Sequence, residues 1–388
     1  MDARVREIGQ KWPIPRLLPR FPARGAPAHR RAAARRVVQG RGSPPGTQGS
    51  AGAHQGACGR LALRRGPLAV ARTPVYAGGV SFELELTRRF GERARRAVPL
   101  APFTTFHVGG PADWFIEVHT TAEFVDAVAL ARASGVPVTL LGGGSNVVIG
   151  DRGIRGLVLR ARTTGIALED RETLRAEAGV TINGLVRWCV GRGVAGLEAW
   201  AGTPGTVGGA IHGNAHFRGA LIGDLVRSVR LLTPDGKIEE VPAAEMGFGY
   251  DRSRLRDGGE VLLSAAFHVG AGDPATLREA ARASLDFRKR TQPLHLPSAG
   301  CLFQNPDPAR DPIPEGVPCS AGALIDRAGL KGARVGGAVV STVHANFVVN
   351  DGGATASDIL ALAAHVEQVV RARFGVELRR EVVVLGER

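Results

Sequence analysis

The sequence predicts an α+β fold built from separate modules, and three observations carry that prediction. From about residue 81 onward, strands and helices follow one another without the strict strand–helix–strand rhythm of one doubly wound sheet. A strand-like run, Pro137-Val138-Thr139-Leu140-Leu141, leads straight into Gly142-Gly143-Gly144-Ser145-Asn146. A second glycine-rich segment, Gly202-Thr203-Pro204-Gly205-Thr206-Val207-Gly208-Gly209-Ala210, and a turn bearing a thiol and an amide, Pro297-Ser298-Ala299-Gly300-Cys301-Leu302-Phe303-Gln304-Asn305-Pro306, lie further on. Together the three blocks suggest an enzyme that uses a nucleotide cofactor for redox chemistry.

The formal charge of +14 on 388 residues points toward nucleic acid until it is located. Residues 1–79 hold fifteen Lys and Arg against Asp2 and Glu7, which leaves the other 309 residues with 35 basic and 34 acidic groups. A nearly neutral body offers no continuous basic footprint, so no nucleic-acid partner is expected for it. No apolar run is long enough to span a bilayer, and no membrane partner is expected either. The segment 1–80 is rich in Arg, Pro, Ala and Gly, with too little periodic apolar surface to offset its ordering entropy. It is expected to be a disordered basic extension. Three readings stand for it: a dispensable stretch before a true start near Val75 or Val80, an organelle transit peptide, or an arm for nucleic acid or membrane surface.

Cys58, Cys189, Cys301 and Cys319 form no CxxC pair and have no metal-ligand spacing with histidine. Free thiols of a reducing, cytoplasmic compartment are expected, with no metal.

Along the body, Thr120-Thr121-Ala122-Glu123 reads as a capping box for a helix that stops at Gly135. Residues 137–141 read as a buried strand, and residues 156–159 and 227–232 as further strands. The second of these closes on a Pro234-Asp235-Gly236 turn. Residues 276–290 read as a basic amphipathic helix. A last helix over 357–374 places Ile359, Leu362, Val366, Val369 and Val370 on a core-facing stripe, and residues 381–385 read as the closing strand. No internal repeat is evident.

Exposed N–H groups of the first glycine loop, with Ser145 and Asn146, suit a diphosphate, although a plain tight turn explains the same residues. The loop is not a GxGxxG opening a helix, so a dinucleotide fingerprint of that kind is not supported. In the second loop, five glycines within residues 202–213 imply a ligand or another chain segment lying flat on the backbone.

Seven blocks together extend the argument: Thr104-Thr105-Phe106-His107-Val108-Gly109-Gly110-Pro111-Ala112, the two glycine loops, Gly247-Phe248-Gly249-Tyr250-Asp251-Arg252-Ser253, residues 297–306, Ala328-Gly329-Leu330-Lys331-Gly332 and His344-Ala345-Asn346-Phe347. In order and spacing they resemble the UDP-N-acetylenolpyruvoylglucosamine reductase family, in its shorter subtype, over about residues 82–388. The resemblance implies a vanillyl-alcohol-oxidase-like (PCMH-like) FAD-binding unit of two subdomains plus an α+β C-terminal substrate domain. Expected boundaries are 81–155 with a return strand from 376–388, then 156–290, then 291–375. FAD would lie in the clefts of Gly142, Gly143, Gly144, Ser145 and Asn146 and of Gly202, Thr203, Pro204, Gly205, Thr206, Gly208, Gly209 and Ala210. NADPH would reduce it, and a nucleotide-sugar enol ether would be reduced in turn in a ping-pong cycle, by a monomer.

The same resemblance implies roles for particular residues. Cys301 stands where many members carry a serine proton donor, and a thiol with an ordinary pKa near 8.5 yields its proton more easily than an alcohol. Glu381 matches a catalytic carboxylate, whose pKa is expected to be raised. Asn305 and Tyr250 match substrate-binding positions. The family's Tyr-Arg-X-Ser pattern is broken by Asp251, with Arg252 one residue late. Arg252 is expected to serve as the catalytic arginine through a bulge, unless another arginine does. A sugar or alcohol oxidase of the same fold, and a nucleic-acid-binding protein acting through residues 1–79, are the other readings.

Overall fold

A computed structural model describes residues 81–387, and the expectations for residues 1–80, Cys58 included, lie outside the described residues. Helix α1 (Phe82–Phe90) buries Phe82, Leu86 and Phe90 at four-residue spacing, one face of a helix. The first sheet contains β1 (Arg95–Pro99), β2 (Pro111–Val118), β3 (Val138–Leu141) and β5 (Ile154–Ala161), in the order β1-β2-β5-β3. β2 and β3 run parallel to β5, while β1 is antiparallel to β2. Between β3 and β5 lies the short β4 (Val147–Ile149).

Helix α2 (Thr121–Ala133) is capped by Thr120, whose Oγ1 accepts from Glu123 N at 3.1 Å. The Glu123 carboxylate accepts from His119 N at 2.9 Å instead of from the cap residue itself, because Arg93 also draws it outward. The expected box therefore closes one residue early. β3 also departs from expectation: it is an edge strand, with Leu140 40% exposed and Leu141 as its buried residue. A short apolar run reads alike at the centre and at the edge of a sheet.

The second module is an antiparallel sheet of β6 (Ile166–Leu168), β7 (Thr173–Glu177), β8 (Val226–Leu232), β9 (Ile238–Pro242) and β10 (Val261–His268), ordered β9-β8-β10-β7-β6. Helices α3 (Ile182–Gly191) and α4 (Val207–His212), and Leu277 of α5 (Pro274–Thr291), join its core. The boundary expected between residues 155 and 156 falls inside β5. The first sheet keeps that strand whole through Ala161, since its parallel neighbours β2 and β3 both pair with it.

The third module comprises α6 (Ala321–Arg327), β11 (Arg334–Val335), β12 (Ala338–Val340), β13 (Val348–Asn350) and α7 (Ala356–Phe374). α7 buries Ile359, Leu362, Val366 and Val370, with Val369 only partly buried. Phe106, Val108 and Val148 from the first module, and Val376, Leu378 and Val382 from the return segment, complete this core. The chain ends in β14 (Val383–Leu385), which pairs parallel with β4. Glu381 therefore precedes the closing strand instead of beginning it.

Candidate active site

The two glycine loops, some sixty residues apart in sequence, meet backbone to backbone. A Cβ on Gly143 would stand 2.7 Å from Gly205 Cα, one on Gly142 2.5 Å from Thr206 Oγ1, and one on Gly205 2.7 Å from Ser145 Oγ. Against the Gly205 backbone only glycine fits at 143, and Gly205 itself sits at φ +99°. The first loop is held from outside by Thr105 N donating to Gly144 O at 3.0 Å. The second is held by Asn183, which accepts from Gly202 N at 2.7 Å and donates to Thr203 O at 3.2 Å. Thr206 caps α4 by accepting from Gly209 N at 3.3 Å.

Beside the second loop lies Arg288, which sequence reasoning did not single out. It is 5% exposed, donates to Thr203 Oγ1 at 2.7 Å and stacks over the Phe217 ring at 3.5 Å. Its Nε has no hydrogen-bond partner, and burial lowers its pKa to about 10. Among the described residues it is paired with no carboxylate. A buried guanidinium without a counter-charge, next to a glycine cradle, is matched by an anionic group such as a diphosphate. Its signal in the sequence was only the basic helix around it. The cradle and the orphaned Nε fit the expected FAD. Gly143→Ala forces backbone against backbone, an overpacking cost of about 1–3 kcal/mol. It is expected to weaken FAD retention by about 10- to 100-fold, read as flavin absorbance per purified protein.

The turn that bears Cys301 is built separately. Asn346, 3% exposed, brackets Phe303: its Oδ1 accepts from Phe303 N at 3.0 Å and its Nδ2 donates to Phe303 O at 2.7 Å. Leu302 N donates to Asn346 O at 2.7 Å, Glu381 N donates to Leu302 O at 2.9 Å, and Gln304 N donates to Arg379 O at 2.8 Å. Cys301 and Glu381 thus sit on two paired segments. Asn146 of the first glycine loop bonds the second of these segments, its Nδ2 donating to Glu381 O at 3.4 Å and its O accepting from Val383 N at 3.0 Å. The main chain around Glu381 is thereby fixed to that loop.

Tyr250 and Asn305 also converge here: Asn305 N donates to Tyr250 Oη at 3.3 Å, and the Tyr250 ring lies 4.7 Å from that of His216. Asn305 Oδ1 is committed to Ala321 N at 3.1 Å, at the start of α6, which leaves its Nδ2 to act outward. Tyr250 remains 44% exposed.

Arg252 is not brought to this site. Gly249 and Arg252 exchange two backbone hydrogen bonds in a tight turn, with Asp251 at φ +52°. This places Arg252 outward, its side chain 69% exposed and 3.5 Å from Asp257. Asp251 turns inward instead and is 4% exposed. It accepts from Arg256 Nη2 at 2.8 Å and from Gln304 Nε2 at 2.6 Å. The segment is a turn and not a strand, so no bulge restores Arg252. Left-handed backbone tolerates aspartate better than most side chains.

Burial pushes the Cys301 thiol up to about 12, with Glu381 adding to the rise and the Asn346 amide offsetting part of it. The expected near-ordinary thiol pKa is therefore corrected upward. Burial and then the Asp251 charge push Glu381 up to about 8, against the opposing pull of Arg256. Cys189 is a buried core thiol and Cys319 an exposed one, its Sγ 3.1 Å from Pro306 O. Among the described residues no cluster of His, Cys, Asp and Glu could hold a metal, and no helix is long and apolar enough to cross a membrane.

Two family descriptions match the chain: "FAD binding domain" over residues 112–242, and "UDP-N-acetylenolpyruvoylglucosamine reductase, C-terminal domain" over residues 292–385. The UDP-N-acetylenolpyruvoylglucosamine reductase of Synechococcus sp. (strain JA-3-3Ab) is 40% identical over 300 residues, covering 77% of this chain and 93% of that protein. The chain belongs to the UDP-N-acetylenolpyruvoylglucosamine reductase family. Another such reductase, from Rubrobacter xylanophilus, is 44% identical over 292 residues, covering 74% of this chain and 94% of its own length. The crystal structure of the Thermus caldophilus reductase superposes with a TM-score of 0.63 at 33% identity, over 76% of this chain and all of that one. This family member is an oxidoreductase with an FAD-binding domain. Both glycine loops fall inside the first match, and Cys301, Asn305 and Glu381 inside the second. Tyr250, Asp251, Arg256 and Arg288 lie in the stretch between them.

Proposed function

We propose that this reductase converts the enolpyruvyl ether of UDP-N-acetylglucosamine to UDP-N-acetylmuramate, with NADPH as reductant and the two substrates taking turns at one cleft. The observation that carries this reading is Cys301 and Glu381 on paired segments, with the Glu381 segment bonded in turn to Asn146 of the first glycine loop. The two glycine loops and Arg288 would hold FAD, which when bound would supply hydride chemistry.

The chain's own groups supply the rest. A thiol with a pKa near 12 keeps its proton at neutral pH and holds it for the carbon bearing the ether oxygen. Glu381, neutral below about pH 8, donates a hydrogen bond to the carboxylate oxygen where negative charge gathers. Asn305 Nδ2 and the Tyr250 phenol, neighbours beside this turn, would contact the nucleotide sugar. NADPH plus a proton and the vinyl group yield NADP⁺ and the saturated lactyl ether, so electrons and atoms balance.

The test is anaerobic. FAD-loaded protein is reduced with NADPH, UDP-N-acetylglucosamine enolpyruvate is added, and flavin absorbance is followed. Rapid reoxidation is expected. Reduction without reoxidation would sink the substrate assignment, and reduction by a sugar or alcohol with indifference to NADPH would replace it with an oxidase. In the same assay Arg252→Ala is expected to change kcat/KM by less than about twofold, as for an exposed surface charge.

A further inference from the structure

Asp251 is the most enclosed charge of the site, yet its chemistry is opposite to what an anionic substrate needs. A lone carboxylate there would repel the carboxylate of an enolpyruvyl group. Its two oxygens are instead divided between two donors, Arg256 Nη2 at 2.8 Å and Gln304 Nε2 at 2.6 Å. Gln304 belongs to the Cys301 turn, and its N is bonded to Arg379 O of the Glu381 segment. One buried carboxylate thus links the 250–256 segment, the Cys301 turn and the Glu381 segment.

Arg256 is the cation in this linkage. Its side chain is 28% exposed, against 4% for Asp251, so the pair points from the protein interior toward solvent. One of its five N–H groups is bound to Asp251 Oδ1, and a planar guanidinium so pinned offers its remaining N–H groups in a fixed plane. We propose that Asp251 is a positioning residue that anchors Arg256 and Gln304, so that Arg256 receives the carboxylate of the enolpyruvyl substrate. This inference rests on the reductase reading above and assigns to Arg256 the substrate contact expected of Arg252.

The surrounding charges agree with this arrangement. The groups facing Glu381 are Asp251 and Arg256 from the 250–256 segment, with Cys301 and Tyr250 acted on by its charge. His216 faces Asp251 and His212 faces Arg256, and burial disfavours the charged form of both imidazoles. Arg379 and Arg380 flank Glu381 in sequence but are paired with Asp311 and Glu367. Arg256 is thus the guanidinium whose charge reaches both Asp251 and Glu381.

The test uses the FAD-loaded full chain and separates the two half-reactions. Arg256→Gln is expected to raise KM for UDP-N-acetylglucosamine enolpyruvate by about 10- to 100-fold, the range for a lost charge-assisted hydrogen bond. Flavin reduction by NADPH should stay within about twofold. Arg256→Lys, a point charge lacking the fork, should recover part of that loss. Asp251→Asn should raise the same KM and move the alkaline limb of kcat to lower pH, since it removes the neighbouring charge that keeps Glu381 protonated. Arg256→Gln should move that limb the other way. These opposite pH shifts are not produced by a purely structural role. Equal losses in both half-reactions for all three variants, or an unchanged KM in Arg256→Gln, would overturn the inference while wild-type turnover still upheld the reductase reading. Failure of the wild type to reoxidise would instead sink that reading, and this inference with it.

Discussion

Replacing Cys301 by alanine is expected to slow the reoxidation half-reaction by about 10²–10⁴-fold, the usual contribution of a positioned general acid. Flavin reduction by NADPH should be almost untouched, because in the proposed sequence the thiol would act only after hydride has left for the substrate. Stopped-flow absorbance resolves the two phases in one experiment. The turn itself should survive the change: Asn346 holds Phe303 at both its N–H and its C=O, and neither bond uses the sulfur. Cys301→Ser should keep most of the rate, within about tenfold of wild type, since a hydroxyl fills the same place and also carries a transferable proton. Parallel loss in alanine and serine variants would point to packing instead of proton transfer.

The second large effect concerns Glu381. Its carboxyl is raised from an ordinary 4.5 to about 8, chiefly by burial and next by Asp251. The acid form is therefore held from low pH up to about 8 and is lost as pH rises through that value. If the neutral acid is the working form, kcat falls on the alkaline side with a midpoint near 8. Glu381→Ala is expected to cost about 10²–10³-fold in kcat, comparable to removing one donor from a charge-stabilising site. Glu381→Gln keeps a neutral donor of similar shape, so it should lose less and show no alkaline limb at 8. A wild-type profile flat from pH 6 to 9 would refute the neutral-acid role. The limb is measured under saturating substrate, so that it reports the bound state.

Much of the fold was legible before any coordinates. α2 was read from its Thr120 cap, α5 from its basic amphipathic pattern and α7 from its apolar spacing, and the fold adds Asp273 and Thr355 as the caps of the last two. The glycine loops were legible too, because a run of glycine advertises a close backbone approach wherever it occurs. What that approach was made against was not. Gly143 is glycine because Gly205 stands there, a contact between modules that no local pattern encodes. The edge position of β3 and the true extent of the first sheet through β5 were hidden for the same reason.

The site divided along a similar line. Cys301, Glu381, Asn305 and Tyr250 lie in short motifs through which the family resemblance could be read, and the fold gathers them around one turn. Arg288, Gln304 and Asn346 escaped notice because their importance comes from burial and partners. An arginine on a basic helix looks like a solvated charge until Phe217 and Thr203 are found enclosing it.

Arginine 252 shows where local reading stops. Its place one residue after the family's expected arginine argued for the site, but with left-handed backbone at Asp251 the aspartate is buried and Arg252 exposed. Backbone handedness at one position depends on the bonds that close the turn, here those between Gly249 and Arg252. Residue types and their spacing were thus enough to point to the family, and through that resemblance to the groups proposed to react, since both rest on short segments. Which arginine faces the substrate, how far the acid's pKa rises and what each glycine touches depended on burial and on contacts between distant segments, and these exist only once the chain has folded.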